Sequence, residues 1–95
     1  MRKYETMYII RPDLTEEKYP QVVEKYAALI QNNGGEIVKT DIWGRRRLAY
    51  EINKFQEGFY VVVKFLGDAK LPAELERNFR ISDDVIRYLV VNEEE

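Results

Sequence analysis

The chain contains neither cysteine nor histidine among its 95 residues. The absence of cysteine excludes disulfide bonds, thiolate nucleophiles, iron–sulfur clusters and cysteine-based zinc sites. The absence of histidine removes the commonest general acid or base and the commonest transition-metal ligand. Any enzyme of this composition would have to work with carboxylates, lysine, tyrosine or backbone groups. We therefore expect a protein that is not an enzyme and that holds neither a cofactor nor a metal ion.

Long apolar segments are lacking as well. No apolar run approaches the roughly 18–20 residues of a membrane-spanning helix, and no charged start leads into the apolar stretch of a signal peptide. A chain of 95 residues that is 45% hydrophobic and 34% charged has the composition of one small folded domain. We expect a soluble intracellular protein with a single domain over residues 1–92 and an acidic tail over residues 93–95.

Composition and apolar spacing predict four strands and two helices. Thr15 offers a hydroxyl to cap the first helix, and the glycines at 34–35 end it. Gly44 lies inside the second strand and indicates a bulge or a bend rather than a stop, while the polar residues 53–58 are turn-like. The predicted strands cover residues 4–10, 37–52, 59–66 and 85–91; the first helix covers 16–33 with the apolar stripe Tyr19, Val23, Tyr26 and Ile30, and the second is centred on Leu71, Leu75 and Phe79.

The order βαββαβ has a preferred spatial solution. Right-handed crossovers and a central hairpin predict the α+β ferredoxin-like, or split βαβ, arrangement, in which two helices cover one face of a four-stranded antiparallel sheet. We call the other face the open face. Because alternate strand residues share a face, side chains on the open face form an apolar patch that is typical of an interaction surface. Its predicted members are Met7, Ile9, Tyr60, Val62, Leu89 and Val91.

Two other interpretations of this patch remain. A strand can have been assigned to the wrong face, which would place some of these side chains in the core. Alternatively, the patch can pack against a second copy of the chain.

Charge is balanced in total but unevenly distributed. The chain has 15 Lys and Arg against 17 Asp and Glu, a net charge of −2, which gives no general reason to expect nucleic acid as a ligand. However, residues 37–56 carry five cations and two carboxylates, and residues 1–12 carry three cations and one carboxylate. The positive charge therefore belongs to the first strand and the long second strand.

Three consecutive arginines, at residues 45–47, lie between Trp43 and Tyr50. Guanidinium groups bind phosphate and stack on bases, and neighbouring aromatic rings can stack on bases too. The alternative is that the charges protect an edge strand from aggregation while Trp43 covers the core. We favour contact with nucleic-acid phosphate, because the run stands out in a chain that is otherwise acidic.

The segment Trp-Gly-Arg-Arg-Arg-Leu-Ala-Tyr at residues 43–50 closely resembles the signature of the S-six family, the sixth protein of the bacterial small ribosomal subunit. The resemblance extends to the opening Met-Arg-Lys-Tyr-Glu, the Arg-Pro-Asp turn at 11–13, the glycines at 34–35, and the closing Phe-Arg-Ile at 79–81 with residues 83–91. It therefore covers essentially the whole chain. It implies a structural ribosomal protein, in a cytoplasmic or an organellar ribosome.

The same resemblance implies two partners. The family binds the central domain of small-subunit ribosomal RNA, and it does so as a heterodimer with the eighteenth small-subunit ribosomal protein. A partner of this kind would cover the open face and supply basic charge that this chain lacks. The candidate contacts with RNA or with the protein partner are Arg2, Lys3, Tyr4, Trp43, Arg45, Arg46, Arg47, Tyr50, Arg80 and Arg87.

Two further alternatives come from other classes of function. Residues 57–64 lie where an RNA-recognition motif carries its stacking residues, but Glu57 is acidic, and Val61 and Lys64 stand where aromatic rings are needed. A ferredoxin-like enzyme or ligand-binding module would need convergent polar groups. The adjacent Asp83 and Asp84 are better explained by a turn, and no glycine-rich phosphate loop precedes either helix.

Overall fold

The computed structural model describes residues 1–93 and has the predicted order of elements. The strands form one antiparallel sheet in the order β2-β3-β1-β4, so that β2 and β4 are its edges. The ferredoxin-like prediction is confirmed. Of the predicted acidic tail, residues 94 and 95 lie outside the described residues. The elements are β1 (Arg2–Ile10), α1 (Lys18–Asn32), β2 (Glu36–Ile52), β3 (Phe55–Gly67), α2 (Leu71–Ile81) and β4 (Val85–Asn92).

The hydrophobic core lies between the sheet and the two helices. Strand alternation places its members correctly, because every second side chain of β1 and β3 faces the helices. The buried Thr6 also faces inward, and its hydroxyl donates a hydrogen bond of 2.9 Å to the carbonyl of Leu89 on β4. The core comprises Tyr4, Tyr8, Ile10, Tyr19, Val22, Tyr26, Ile30, Val61, Val63, Phe65, Leu71, Leu75 and Phe79.

Helix α1 differs from its prediction at the start. It begins at Lys18, and the Lys18 N–H donates to the backbone carbonyl of Thr15 at 3.0 Å, with no side-chain cap. The predicted hydroxyl cap is therefore wrong, since a turn precedes the helix. Val22, and not Val23, is the fourth buried residue of the stripe. At the other end Gly34 adopts a φ of 83°, which agrees with the predicted left-handed stop.

The hairpin between β2 and β3 has a shorter turn than predicted. Only Asn53 and Lys54 form it, with φ values of 49° and 69°, the signs that a two-residue hairpin turn requires. Residues 55–58, which we expected in the turn, belong to β3 instead. The positive φ angles of Asn53 and Lys54 reverse the chain, so the pairing of β3 with β2 begins at Phe55 despite the polar residues that follow.

The end of this hairpin bends over the open face. Between the cross-strand pairs Arg47↔Glu57 and Ile52↔Phe55, β2 has four residues and β3 has one. Such an unequal count bends the longer strand. We call residues 48–55 the arm. Leu48, the first residue of the arm, is buried on the open face, where its side chain lies near Ile9 and Gly58.

Candidate RNA and partner interface

The three arginines of the run do not share one environment. Arg45 points to the helix side, where its Nη2 donates to the Tyr19 hydroxyl at 3.4 Å and its guanidinium lies 5.8 Å from the centre of the Tyr19 ring. A carboxylate oxygen of Glu16 is 3.9 Å from the same nitrogen. The hydrogen bond to Tyr19 raises the pKa of Arg45 further above its ordinary value. Arg45 is thus engaged within the chain, at the start of α1.

Arg46 lies on the open face together with Trp43. Of the bulge or bend predicted at Gly44, the bulge is present: the β2–β3 register shifts there, and Gly44 has a φ of 78°. The extra residue leaves Trp43 on the same face as Tyr60, with the two rings stacked at a centroid distance of 6.1 Å and 11° between their planes. The Arg46 guanidinium is 5.9 Å from the centre of the Trp43 ring.

Arg47 is exposed on the same side of β2 as Arg45, since the two are separated by one residue. It stands opposite Glu57 in the β2–β3 register. Among residues 1–93, no hydrogen bond, ion pair or aromatic contact engages its guanidinium. Of the three arginines, it is therefore the one most available to a ligand.

Tyr50 and Arg87 meet across the open face. The Arg87 Nη1 donates a short hydrogen bond to the Tyr50 hydroxyl, and its guanidinium lies 5.5 Å from the centre of the Tyr50 ring. The hydrogen bond raises the pKa of Arg87. This contact joins the arm of β2 to the opposite edge strand. Beneath it runs a groove of about 200 Å³, whose lining includes Met7, Leu48, Tyr60 and Leu89.

The apolar patch of the open face is smaller than predicted. Ile9 and Val62 are only 3% and 8% exposed, so a partner has little access to them. Ile9 is covered by the base of the arm, where a Cβ on Gly58 would overlap its Cγ2, and Val62 lies on the central strand β3 between side chains of its neighbours. Met7 and Tyr60 are half-buried. The exposed members are Leu89 and Val91 of β4, at 54% and 41%.

Tyr4 must be removed from the predicted set of contact residues. It is 5% exposed and its ring stacks on Phe65 in the core, at 5.5 Å between centroids. An inward-facing position on β1 removes it from the surface. Its neighbours Arg2 and Lys3 are exposed, but they start β1 at the end of the sheet away from Arg87. Seven strand positions separate Arg2 from Ile9, the partner of Arg87, which is roughly 20 Å.

Arg80 is exposed near the end of α2 and lies on the helix side of the sheet. The predicted contacts therefore do not form one cluster. Arg46, Arg47, Tyr50, Trp43 and Arg87 gather at one end of the sheet, which we call the arginine end, whereas Arg2 and Lys3 lie at the other. Thus the structure separates what the sequence presented as a single set.

Sequence reasoning missed Arg11, which follows β1 at the arginine end. Its Nε donates to a carboxylate oxygen of Asp13 at 2.7 Å, which lowers the pKa of Asp13, and its guanidinium lies 5.5 Å from the centre of the Phe55 ring at the tip of the arm. The Arg-Pro-Asp sequence carries a signal for the ion pair, but none for the contact with Phe55.

No group of three or more Asp and Glu within residues 1–93 is arranged to hold a metal ion, and neither of the described helices is long and apolar enough to cross a membrane. Asp84 has a turn role, as its N–H donates to Ser82 Oγ at 3.2 Å and its carbonyl accepts from the Arg11 N–H at 2.8 Å.

Fold and surface together define a ferredoxin-like domain that offers guanidinium, aromatic and apolar side chains for contact. The model of the family described as ribosomal protein S6 matches residues 3–92. Small ribosomal subunit protein bS6 of Clostridium acetobutylicum is 53% identical over 92 residues, which are 97% of each chain. The bS6 protein of Clostridium botulinum strain Loch Maree is 49% identical over 94 residues, 99% of this chain and 100% of the other.

A solved structure agrees with these relatives. The crystal structure of 30S ribosomal protein S6 from Thermotoga maritima superposes with a TM-score of 0.93 at 38% identity, and the match covers 97% of this chain and 87% of that one. The chain belongs to the ribosomal protein S6 family. The resemblance seen at residues 43–50 is thereby confirmed, as are the predictions that the protein is part of the small ribosomal subunit and is not an enzyme.

Proposed function

We propose that this chain binds the central domain of small-subunit ribosomal RNA through its arginine end, and that it does so as a heterodimer with the eighteenth small-subunit ribosomal protein, in the cytoplasmic ribosome. The observation that carries the RNA part is the exposure of two arginines on β2: Arg46 beside Trp43 on the open face, and Arg47 on the other side of the strand. No carboxylate within residues 1–93 pairs with either guanidinium. Each of them can therefore exchange condensed counterions for a phosphate without first breaking an ion pair.

The second protein is supported by charge and by apolar exposure. A net charge of −2 opposes strong binding to a polyanion by this chain alone. A basic protein bound on the β4 edge of the sheet would supply the positive charge that this chain lacks. Leu89 and Val91 on the edge strand β4 are exposed apolar side chains that such a partner would cover.

The test measures binding of a labelled central-domain RNA fragment over a series of salt concentrations, for the chain alone, for the basic partner alone and for the two together. The chain alone should bind weakly and with a steep salt dependence, and the partner should strengthen binding. For the double variant Arg46→Ala/Arg47→Ala, we expect the slope of log K against log salt to fall by about 0.7–0.9 for each phosphate that is no longer bound.

Two single variants serve as controls. Arg45→Ala should leave the salt slope unchanged, because Arg45 is already held by Tyr19 and Glu16. Arg77→Ala should also leave it unchanged, because Arg77 pairs with Glu74 on α2. An unaltered slope in the double variant would remove the arginine end from the RNA interface. Equal affinity with and without the basic protein would refute the heterodimer.

A further inference from the structure

Trp43 is the only tryptophan of the chain, and 49% of its surface is exposed. A half-exposed indole offers a ligand a large, flat apolar surface with a polar N–H at its edge. The fold fixes the position of Trp43, because the bulge at Gly44 keeps its ring on the open face beside Tyr60. The parallel stack with Tyr60 limits the freedom of the ring, so little side-chain entropy remains to be lost when a flat ligand binds.

The charges around Trp43 favour one kind of flat ligand. Arg46 places a guanidinium 5.9 Å from the indole centre, and Arg87 places another at the groove that Tyr60 also lines. A nucleotide has a flat base for the indole and a phosphate for the guanidinium. The exposed apolar side chains that suit the protein partner, Leu89 and Val91, lie on the other edge of the sheet.

We propose that Trp43 and Arg46 form a subsite for one unpaired RNA nucleotide, in which the base stacks on the exposed part of the indole and the phosphate binds Arg46. This inference rests on the proposed function. It assigns the two edges of the open face to different partners. The Trp43 edge of the open face serves the RNA, and the Leu89 edge serves the protein partner.

The single tryptophan makes a direct test possible. The full chain is titrated at low salt with a short single-stranded oligoadenylate and, separately, with an abasic oligomer that has the same number of phosphates, while the indole fluorescence is recorded. We expect the oligoadenylate to quench the fluorescence and the abasic oligomer to bind with little quenching. Equal quenching by both, or no quenching by either, would overturn the subsite.

Variants provide the second measurement, with a labelled oligoadenylate and fluorescence anisotropy. Trp43→Leu should weaken binding by about tenfold, as expected for the loss of one base–aromatic stack, and Trp43→Phe should retain most of the affinity. Val38→Ser changes another exposed apolar residue of β2 and should have no effect.

The outcomes separate this inference from the proposed function. If Trp43→Leu binds the oligoadenylate and the rRNA fragment as tightly as the parent but binds the protein partner less tightly, then the subsite belongs to the protein, and only the inference fails. If the chain and its basic partner together do not bind the rRNA fragment, then the proposed function fails, and the subsite fails with it.

Discussion

Tyr50, on the edge strand β2, accepts a hydrogen bond from the guanidinium of Arg87, on the opposite edge strand β4. The two residues can meet because β2 bends at residues 48–51 and carries the arm across the open face. Two interactions hold the arm in that position: the contact of Tyr50 with Arg87, and the contact of Phe55 with Arg11. The arm in turn forms one wall of the groove and covers Ile9.

The Tyr50 contact should control the mobility of the arm. The variant Tyr50→Phe keeps the ring but removes the oxygen that accepts the hydrogen bond. We expect faster amide hydrogen exchange in residues 48–55, with the exchange of the core strands unchanged, because only the local opening of the arm becomes easier. Tyr88→Phe makes the same chemical change on β4 and should leave the arm unaffected. Unchanged exchange in Tyr50→Phe would show that packing alone holds the arm.

Leu89 tests the protein-partner edge. Because its side chain is 54% exposed, Leu89→Asn should change the free energy of unfolding by no more than about 0.5 kcal/mol. It should nevertheless weaken the complex with the basic partner protein in a titration followed by calorimetry. Ile81→Asn, at an exposed apolar residue of α2, is the control and should bind the partner normally. Unfolding of the Leu89 variant would contradict its assignment to the open face.

Gly58 permits the close approach of β3 and Ile9. A Cβ at this position would overlap Ile9 Cγ2, which is too near the backbone to move away freely. We expect Gly58→Ala to lower the free energy of unfolding by about 1–3 kcal/mol, as overpacking does. In the double variant Gly58→Ala/Ile9→Ala the overlap is gone, so the destabilisation should be smaller than the sum for the two single variants. Additive effects in urea denaturation would contradict the overlap.

Tyr8 should make the fold sensitive to alkaline pH. Burial raises the pKa of Tyr8 well above its ordinary value of 10.0, and burial also raises the pKa of Tyr26. Above about pH 10 the unfolded chain releases phenolic protons that the folded chain keeps, so stability falls as the pH rises. For one such tyrosine the decrease approaches about 1.4 kcal/mol per pH unit.

The variant Tyr8→Phe has no proton to lose at this position. Its stability at neutral pH should stay near that of the parent, because the Tyr8 hydroxyl is buried with no hydrogen-bond partner in the described part of the chain. Denaturation between roughly pH 9 and 11, the range in which phenols titrate, should then show a shallower decrease in stability than in the parent. Ile30→Val alters the core without removing a titrating group, and its curve should run parallel to that of the parent.

Most of the fold could be predicted because its signals are local. The alternation that buries Tyr8 and Val61 and the spacing of Leu75 and Phe79 follow directly from strand and helix geometry. The start of α1 was predicted less well, because Thr15 has the chemistry of a cap in a segment that forms a turn instead. The hairpin turn is shorter than predicted because residues 55–58, although mostly polar, pair as part of a strand.

The order of elements, most of the core, the irregularity at Gly44 and the arginine run with its flanking rings follow from the amino-acid sequence. What each arginine of the run can do depends on how the strands and helices pack together. Alternation along β2 puts Arg46 on the face opposite to Arg45 and Arg47. Packing then places Tyr19 beside Arg45 and Trp43 beside Arg46, whereas Arg47 remains exposed. Tyr50 reaches Arg87 because β2 has more residues than β3 in the bend between them. The residue pattern of a single strand cannot predict how many residues its neighbour will pair.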